Sequence, residues 1–321
     1  MYHGIINVYK EAGFTSHDVV AKLRGICKQK KIGHTGTLDP DAVGVLPVCL
    51  GNGTKLCDML TGETKEYIAG FRLGIATDTQ DISGKILEEK EVCVSAEQVK
   101  EMLSHFVGEL QQVPPMYSAL KVGGKKLYEL AREGKEVERK ARPITIYELE
   151  LLKAEHPEYE IRVVCSKGTY IRTLCHDIGQ ALSCGAVMTS LVRSRVGEFR
   201  LKDAKTLDEL QELADQGRVR VQEAVIPVEE MFHALPAIQV SDGAQKALRN
   251  GNQLKQSEVS AKEEAGIIGK MPQGFPVDQG EYRVYSMDSR FCAIYRYEGD
   301  RRLFTPVKMF LEGQDGSYAD R

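Results

Sequence analysis

Ten residues, Gly33-His-Thr-Gly-Thr-Leu-Asp-Pro-Asp-Ala42, constrain this chain more than any other stretch. They place a histidine, two glycines, two threonines and two aspartates where a core strand would be apolar. Pro40 fixes the backbone immediately behind Asp39. A basic run, Lys28-Gln-Lys30-Lys31, lies just upstream. Read in isolation, Asp39-Pro40 is a helix N-cap followed by an N1 proline, with Asp41 as a first-turn helix acid. The alternative is a nucleophile or base held beside positive charge, which suits work on an anionic polymer.

The rest of the chain favours a polyanion. Residues 1–35 carry six Lys/Arg against two Asp/Glu, and residues 121–142 carry eight against four. The whole chain is nevertheless at −3, so charge is segregated into basic patches on an acidic background. A length of 321 residues suggests two domains, and 42% hydrophobic content can fill their cores. Eight cysteines are scattered without a Cys-x-x-Cys pair, the pattern of a reducing compartment. The N-terminus lacks a signal-peptide pattern, and no apolar run approaches the ~18 residues of a membrane span. The expected location is the cytoplasm.

Periodicity organises the chain into an α+β fold without regular βαβ alternation. Gly4–Val8 reads as a strand, and Thr15 caps a helix whose stripe is Val19, Val20, Leu23 and Ile26. Val48–Leu50 is a strand, Gly51–Gly53 a turn, and Lys55–Leu60 helical. Lys65–Leu73 alternates as a strand, and Ser95 caps a helix to Phe106. Residues 112–142 read as a protruding basic arm with a Gly123-Gly124 turn and a short helix over 127–132. Tyr147–Leu152 and Tyr159–Ser166 are expected to pair. A helix begins near Ile171, Leu191–Phe199 is a strand, and Thr206–Ala214 a capped helix. Pro227–Pro236 reads as a linker to a small, mostly β domain at 237–311, and residues 312–321 as a polar tail.

Absent motifs prune the chemistry. There is no phosphate-binding loop, no Gly-x-Gly-x-x-Gly after a strand, no zinc-ligand spacing and no Gly-x-Ser-x-Gly elbow. Cofactor-independent chemistry or pure binding remains, with no metal expected. Tyr67 is either an inward strand aromatic or a ring that stacks on an extruded base. Arg172 either snorkels to solvent or meets Asp39. His34 is a loop histidine or a contact to RNA. The arm's lysines and Lys10 are a solvated face or the source of salt-dependent affinity.

Six segments in order resemble the bacterial tRNA pseudouridine synthase B family. They are Lys10 with Gly13-Phe-Thr-Ser-His-Asp18, Lys31-Ile-Gly-His-Thr-Gly-Thr-Leu-Asp39-Pro, Lys65-Glu-Tyr67, Pro114-Pro-Met-Tyr-Ser-Ala-Leu-Lys121, Ser166-Lys-Gly-Thr-Tyr-Ile-Arg172, and Leu191-Val-Arg193 through Gly197-Glu-Phe199. The chain departs from the family pattern at Glu11, where proline is common, and at Asp41 and Val43. The resemblance implies an isomerase that converts the T-loop uridine of tRNA, position 55, to pseudouridine without a cofactor. It implies Asp39 as the catalytic aspartate, Tyr67 as the stacking ring and Arg172 as the partner of Asp39. It assigns substrate contacts to Lys10, His34, Thr35, Gly36, Lys121, Tyr170 and Leu191. It further implies a largely antiparallel central sheet with flanking helices, a catalytic domain over 1–235 with an RNA-gripping arm at about 110–142, and a PUA-like RNA-binding domain over 236–311. The expected partner is the tRNA T-arm, bound by a monomer. The competing readings are a tRNA-binding or tRNA-folding protein without catalysis, and a hydrolase using Asp39 and Asp41. Two carboxylates on one short turn are poorly placed to flank a scissile bond.

Overall fold

The computed structural model describes residues 1–262 and 274–311, so the expected polar tail lies outside the described residues. The chain opens with β1 (Gly4–Lys10), α1 (Ser16–Cys27), β2 (Ile32–His34) and β3 (Val43–Leu50). A 3-10 turn leads to α2 (Cys57–Thr61), then β4 (Lys65–Leu73), the hairpin β5 (Ile75–Thr77) and β6 (Ile86–Glu89), α3 (Ala96–Ser104) and β7 (Gly108–Gln112). The arm carries β8 (Lys121–Val122), β9 (Lys125–Lys126) and α4 (Leu127–Arg132). The chain returns through β10 (Arg142–Glu155), β11 (Glu158–Cys165), α5 (Ile171–Ala181), β12 (Ala186–Val196), β13 (Phe199–Arg200), α6 (Leu207–Asp215) and α7 (Arg218–Glu223). Beyond residue 236 lie β14 (Ala237–Val240), α8 (Gln245–Arg249), β15 (Leu254–Lys255), β16 (Val259–Ala261), β17 (Glu281–Tyr285), β18 (Phe291–Glu298) and β19 (Leu303–Met309).

The main sheet runs β1-β3-β12-β4-β11-β10-β7, with β2 beside β3 and β13 beside β12. Its pairs are antiparallel except β12 with β3, so it is mixed and largely antiparallel. The period-2 pattern of β4 turns Tyr67, Ala69, Phe71 and Leu73 into one core with α3 and α5. The continuous apolar run of β1 has a different cause: both of its faces are covered. Ile6 and Val8 pack under α1 and α6, while Ile5 faces the aromatic cluster of the C-terminal unit. Thr15 and Asp18 close the expected capping box on α1, and Ser95 does so with Gln98 on α3.

Several expectations are corrected. No helix follows Pro40. Residues 39–42 form a turn closed by the Ala42 amide on the Asp39 carbonyl at 3.2 Å, and the chain enters β3 at Val43. Neither capping by Asp39 nor a first-turn role for Asp41 applies, because the apolar stretch from Gly44 to Leu50 pairs along β1 instead. Gly51–Gly53 is the start of a 3-10 helix. The strand read as Leu191–Phe199 begins at Ala186 and stops at Gly197, whose φ of 52° turns Phe199 into β13. Pro227–Pro236 is no loose linker. Its Val228–Phe232 turn buries Val228 and Phe232 against Leu56, Leu60, Val196, Phe199, Ile294 and Phe310. The C-terminal unit, a sheet ordered β15-β19-β18-β17-β14-β16 among the described residues, is thereby packed onto the first. Asn52 Nδ2 donates to the Phe310 and Leu311 carbonyls, which fixes the register of that joint.

Candidate active site

The first two recognised segments fold against each other. Loop 35–42 is a long excursion between β2 and β3, and its backbone is anchored almost residue by residue. The Thr35 amide and Oγ1 both donate to the Pro47 carbonyl. The Leu38 amide donates to Ser16 Oγ at 3.0 Å. The Pro40 carbonyl accepts from the Gly13 amide at 3.0 Å and from Lys10 Nζ at 2.9 Å. The sequence around Lys10–Asp18 is therefore a cradle for the Asp39 turn. Where the loop rejoins the sheet, Gly44 has φ 111°, and a Cβ there would lie 2.3 Å from the Arg193 carbonyl.

Asp39 and Arg172 meet at the mouth of this loop. Arg172 Nε lies 2.9 Å from Asp39 Oδ2, and Nη2 donates to Oδ1 at 3.3 Å. This is a two-point, charge-assisted pair that fixes the plane of the carboxylate. The Arg172 side chain is 7% exposed, whereas that of Asp39 is 41% exposed. The guanidinium is thus sealed beneath a carboxylate that faces outward. Its remaining donors go to the Tyr117 carbonyl at the arm's base, the Thr79 carbonyl and Asp81 Oδ2 at 3.4 Å. Asp81 is itself held by Thr79 Oγ1 at 2.7 Å and Ser83 Oγ at 2.6 Å. Arg172 therefore joins three segments distant in sequence: the Asp39 loop, the 79–81 turn and the arm.

Tyr67 is buried on β4, in the same cluster as Leu38, Ala42, Ile171 and Leu191. Burial raises its hydroxyl above the ordinary range; the Arg193 guanidinium opposes this, and the Asp39 charge adds to it. Leu191 lies across from Ala69, two residues along the β4–β12 ladder from the Tyr67–Arg193 pair and so on the same face of the sheet. His34 is half-buried. Burial lowers its pKa, and His17 and Arg193 lower it further, which favours neutral imidazole. Its Nδ1 accepts the Gly36 amide at 3.3 Å, so the neutral ring carries its proton on Nε2. Its ring packs edge-on to His17 at 5.2 Å. Gly36 lies over the Arg193 side chain. Tyr170 is the N-cap residue of α5, and Gln112 at the end of β7 bonds both its amide and its carbonyl. Lys121 projects from the exposed arm hairpin, where Gly123 and Gly124 both have positive φ, as a tight two-residue turn requires. A cavity of ~270 Å³ at the arm's base is rimmed by Lys121, Arg139, Lys140 and Arg142.

Two of the expected substrate contacts are placed differently. Lys10 is fully buried, with its ammonium on the Glu11 and Pro40 carbonyls. Burial pushes its pKa down to about 8, although Asp39 and Asp41 act in the other direction. Thr35 is buried and committed to Pro47. Both are buried, and their polar atoms are bonded to backbone carbonyls that hold the loop. Asp81, Arg193 and Gln112 join the site although no motif in the sequence singles them out. Asp81 lay in a segment read only as a polar turn. Arg193 shared the inward parity of Leu191, which is an anomalous place for a cation and was the available signal. Among the described residues no group of three or more His, Cys, Asp or Glu is placed to hold a metal ion. No helix of the described residues is long and apolar enough to cross a membrane.

Comparison with known proteins finds similar sequences and similar folds. Residues 24–171 match the family described as TruB family pseudouridylate synthase, N-terminal domain, and residues 172–233 match the tRNA pseudouridylate synthase B C-terminal domain. The chain is 48% identical over 317 residues to a tRNA pseudouridine synthase B of Lachnoclostridium phytofermentans, covering 96% of this chain and 100% of that one. It is 39% identical to the protein of the same name from Bacillus pumilus, covering 97% and 99%. Among solved structures, a Cbf5-Nop10-Gar1 complex matches with TM-score 0.68 and 28% identity, over 96% of this chain and 85% of that one. An H/ACA RNP bound to a substrate RNA containing 2′-deoxyuridine matches with TM-score 0.68 and 27% identity, over 97% and 86%.

Proposed function

The chain belongs to the TruB family of pseudouridylate synthases, and from that premise we propose that it isomerises the T-loop uridine of tRNA, position 55, with Asp39 as the catalytic group. The observation that carries this reading is the Asp39–Arg172 pair: a buried guanidinium aims a partly exposed carboxylate outward beside the Tyr67 ring. A binding protein has no need of a carboxylate facing phosphate. An isomerase must detach uracil from ribose, turn it and rejoin it through carbon 5, and a fixed carboxylate serves as nucleophile or base in such a step. The target base must first leave its stack, at a cost of a few kcal/mol. Tyr67 and Leu191 offer a face for the extruded ring, and the Nε2–H of His34 offers a donor to the opened loop. The reaction is redox-neutral and needs no energy donor.

In this proposal the enzyme works as a monomer in the cytoplasm. The arm, with Lys121 at its hairpin, closes over the T-arm, and the unit beyond residue 236 acts as a PUA-like RNA-binding module. Tyr117 ties the arm to Arg172, so arm closure and Asp39 orientation share one residue. The test uses a T-loop transcript tritiated at uracil carbon 5. Tritium release shows isomerisation. Tight binding without release favours a tRNA-folding protein, and free uracil indicates hydrolysis.

A further inference from the structure

Arg193 is the largest fully buried side chain in the described residues, and the chemistry above leaves it unused. Its Nε donates to the Val45 carbonyl at 2.7 Å, Nη1 to the Thr37 carbonyl at 3.4 Å and Nη2 to the Gly36 carbonyl at 3.3 Å. Val45 lies on β3, where the loop ends; Gly36 and Thr37 lie in the loop itself. On β4, Tyr67 is its cross-strand partner. One guanidinium therefore touches the loop, the strand that receives it and the neighbourhood of the stacking ring.

This arrangement is costly if packing is its only purpose. Its three carbonyl acceptors are backbone groups, the Tyr67 hydroxyl is a further partner, and none of these is a carboxylate. Lys65, also buried, lies close by and adds a second positive charge, its ammonium on the Thr61 and Glu63 carbonyls. Burying a cation without an acid partner is expensive, and an apolar residue of similar size would fill the same space. What a guanidinium adds is a planar fork of donors that fixes several acceptors at set angles, which an ammonium cannot reproduce.

We infer that Arg193 is a positioning residue for the isomerisation: it fixes the height and angle of Gly36–Thr37, and so of Asp39 two residues on, relative to the Tyr67 ring. The lever is short. Thr37 is bonded to Arg193, Leu38 to Ser16, and Asp39 follows directly. This inference rests on the pseudouridylation reading, and the two fail differently. If the parent protein releases no tritium, the reading fails; if the parent turns over and the variants below keep its rate, the inference fails.

The test compares the parent with Arg193→Met, Arg193→Lys and Arg193→Ala by single-turnover tritium release, tRNA affinity and thermal melting. Arg193→Met is expected to lower the single-turnover rate constant by about 100-fold, the effect of displacing a catalytic group by roughly 1 Å. Affinity for tRNA should stay within about 3-fold of the parent, a split that marks loss of a transition-state contribution. Arg193→Lys should also be slowed despite keeping the charge, because a point charge cannot set both loop carbonyls. Added methylguanidinium should restore part of the rate of Arg193→Ala. A native rate in Arg193→Met would overturn the inference. So would a loss of rate and affinity in equal proportion with no rescue, the signature of a residue needed only for folding. Where Arg193→Met does not fold, Arg193→Lys decides: full activity with normal melting contradicts the positioning role.

Discussion

Asp39 is paired with Arg172, and that cation also meets a second carboxylate, Asp81. Asp81 is anchored by Thr79 and Ser83, so it behaves as a fixed stop against which the guanidinium is set. Asp81→Ala should let Arg172 rotate and lower kcat by up to about 100-fold while tRNA affinity is retained. Single-turnover rates beside filter-binding affinities check this, and an unchanged rate would show that Asp39 and the Tyr117 and Thr79 carbonyls suffice to hold Arg172. At this scale the Asp39–Arg172 pairing was legible, because both residues stand in ordered segments of the sequence. The sequence was misleading where polarity stood in for exposure. Lys10 and Thr35 carry polar atoms suited to RNA, yet both are buried, Lys10 beneath the loop and Thr35 at its start. Which partner consumes a donor depends on the tertiary path of the chain, and Pro40 and Pro47 are far enough from those donors in sequence to leave no local trace.

Among elements, α5 carries Arg172 near its first turn and Asp177 further along. Burial pushes the Asp177 carboxyl up to about 6 from 3.8. Between those values the folded state binds more protons than the unfolded state, so this group's contribution to stability is lost as pH rises through the window. Asp177→Asn should therefore stabilise the protein above pH 6, by on the order of 1–2 kcal/mol once partial exposure is discounted. The gain should vanish near pH 4. Urea unfolding of both proteins across pH 4–8 reads this directly, and a difference independent of pH would contradict it. The arm allows a separate check. Lys121 stands exposed on its hairpin, and Lys121→Ala should reduce the salt dependence of tRNA binding, the slope of log K against log[salt], by about one phosphate contact. An unchanged slope would place the hairpin off the RNA. Element types were largely readable from periodicity and caps. Of the boundaries that failed, the one at Gly197 was set by a tight turn into the adjoining β13, and the one beyond Pro40 by pairing of β3 with the sequence-distant β1.

For the whole molecule, the aromatic joint matters most. Phe232, Phe291 and Phe310 pack together between the two sheets, with ring centroids 5.5–6.1 Å apart. A segment read as a linker from its prolines is the middle of this joint, because Val228 and Phe232 bury where a linker's side chains would stay wet. The sequence could not show this: the partners, Leu56, Val196 and Phe310, come from three remote regions. Phe310→Ala should cost about 3–5 kcal/mol and lower the melting temperature of the entire chain in one transition. Two separate transitions in the parent protein would mean that the units are not coupled.

The central claim, that Asp39 performs the chemistry while the surrounding surface performs the binding, is tested most directly by tritium release from a T-loop transcript labelled at uracil carbon 5. The parent protein should release the label from position 55 with repeated turnover, and Asp39→Asn should release none while binding the same tRNA with nearly the parent's affinity. Measurable turnover by Asp39→Asn would contradict the account.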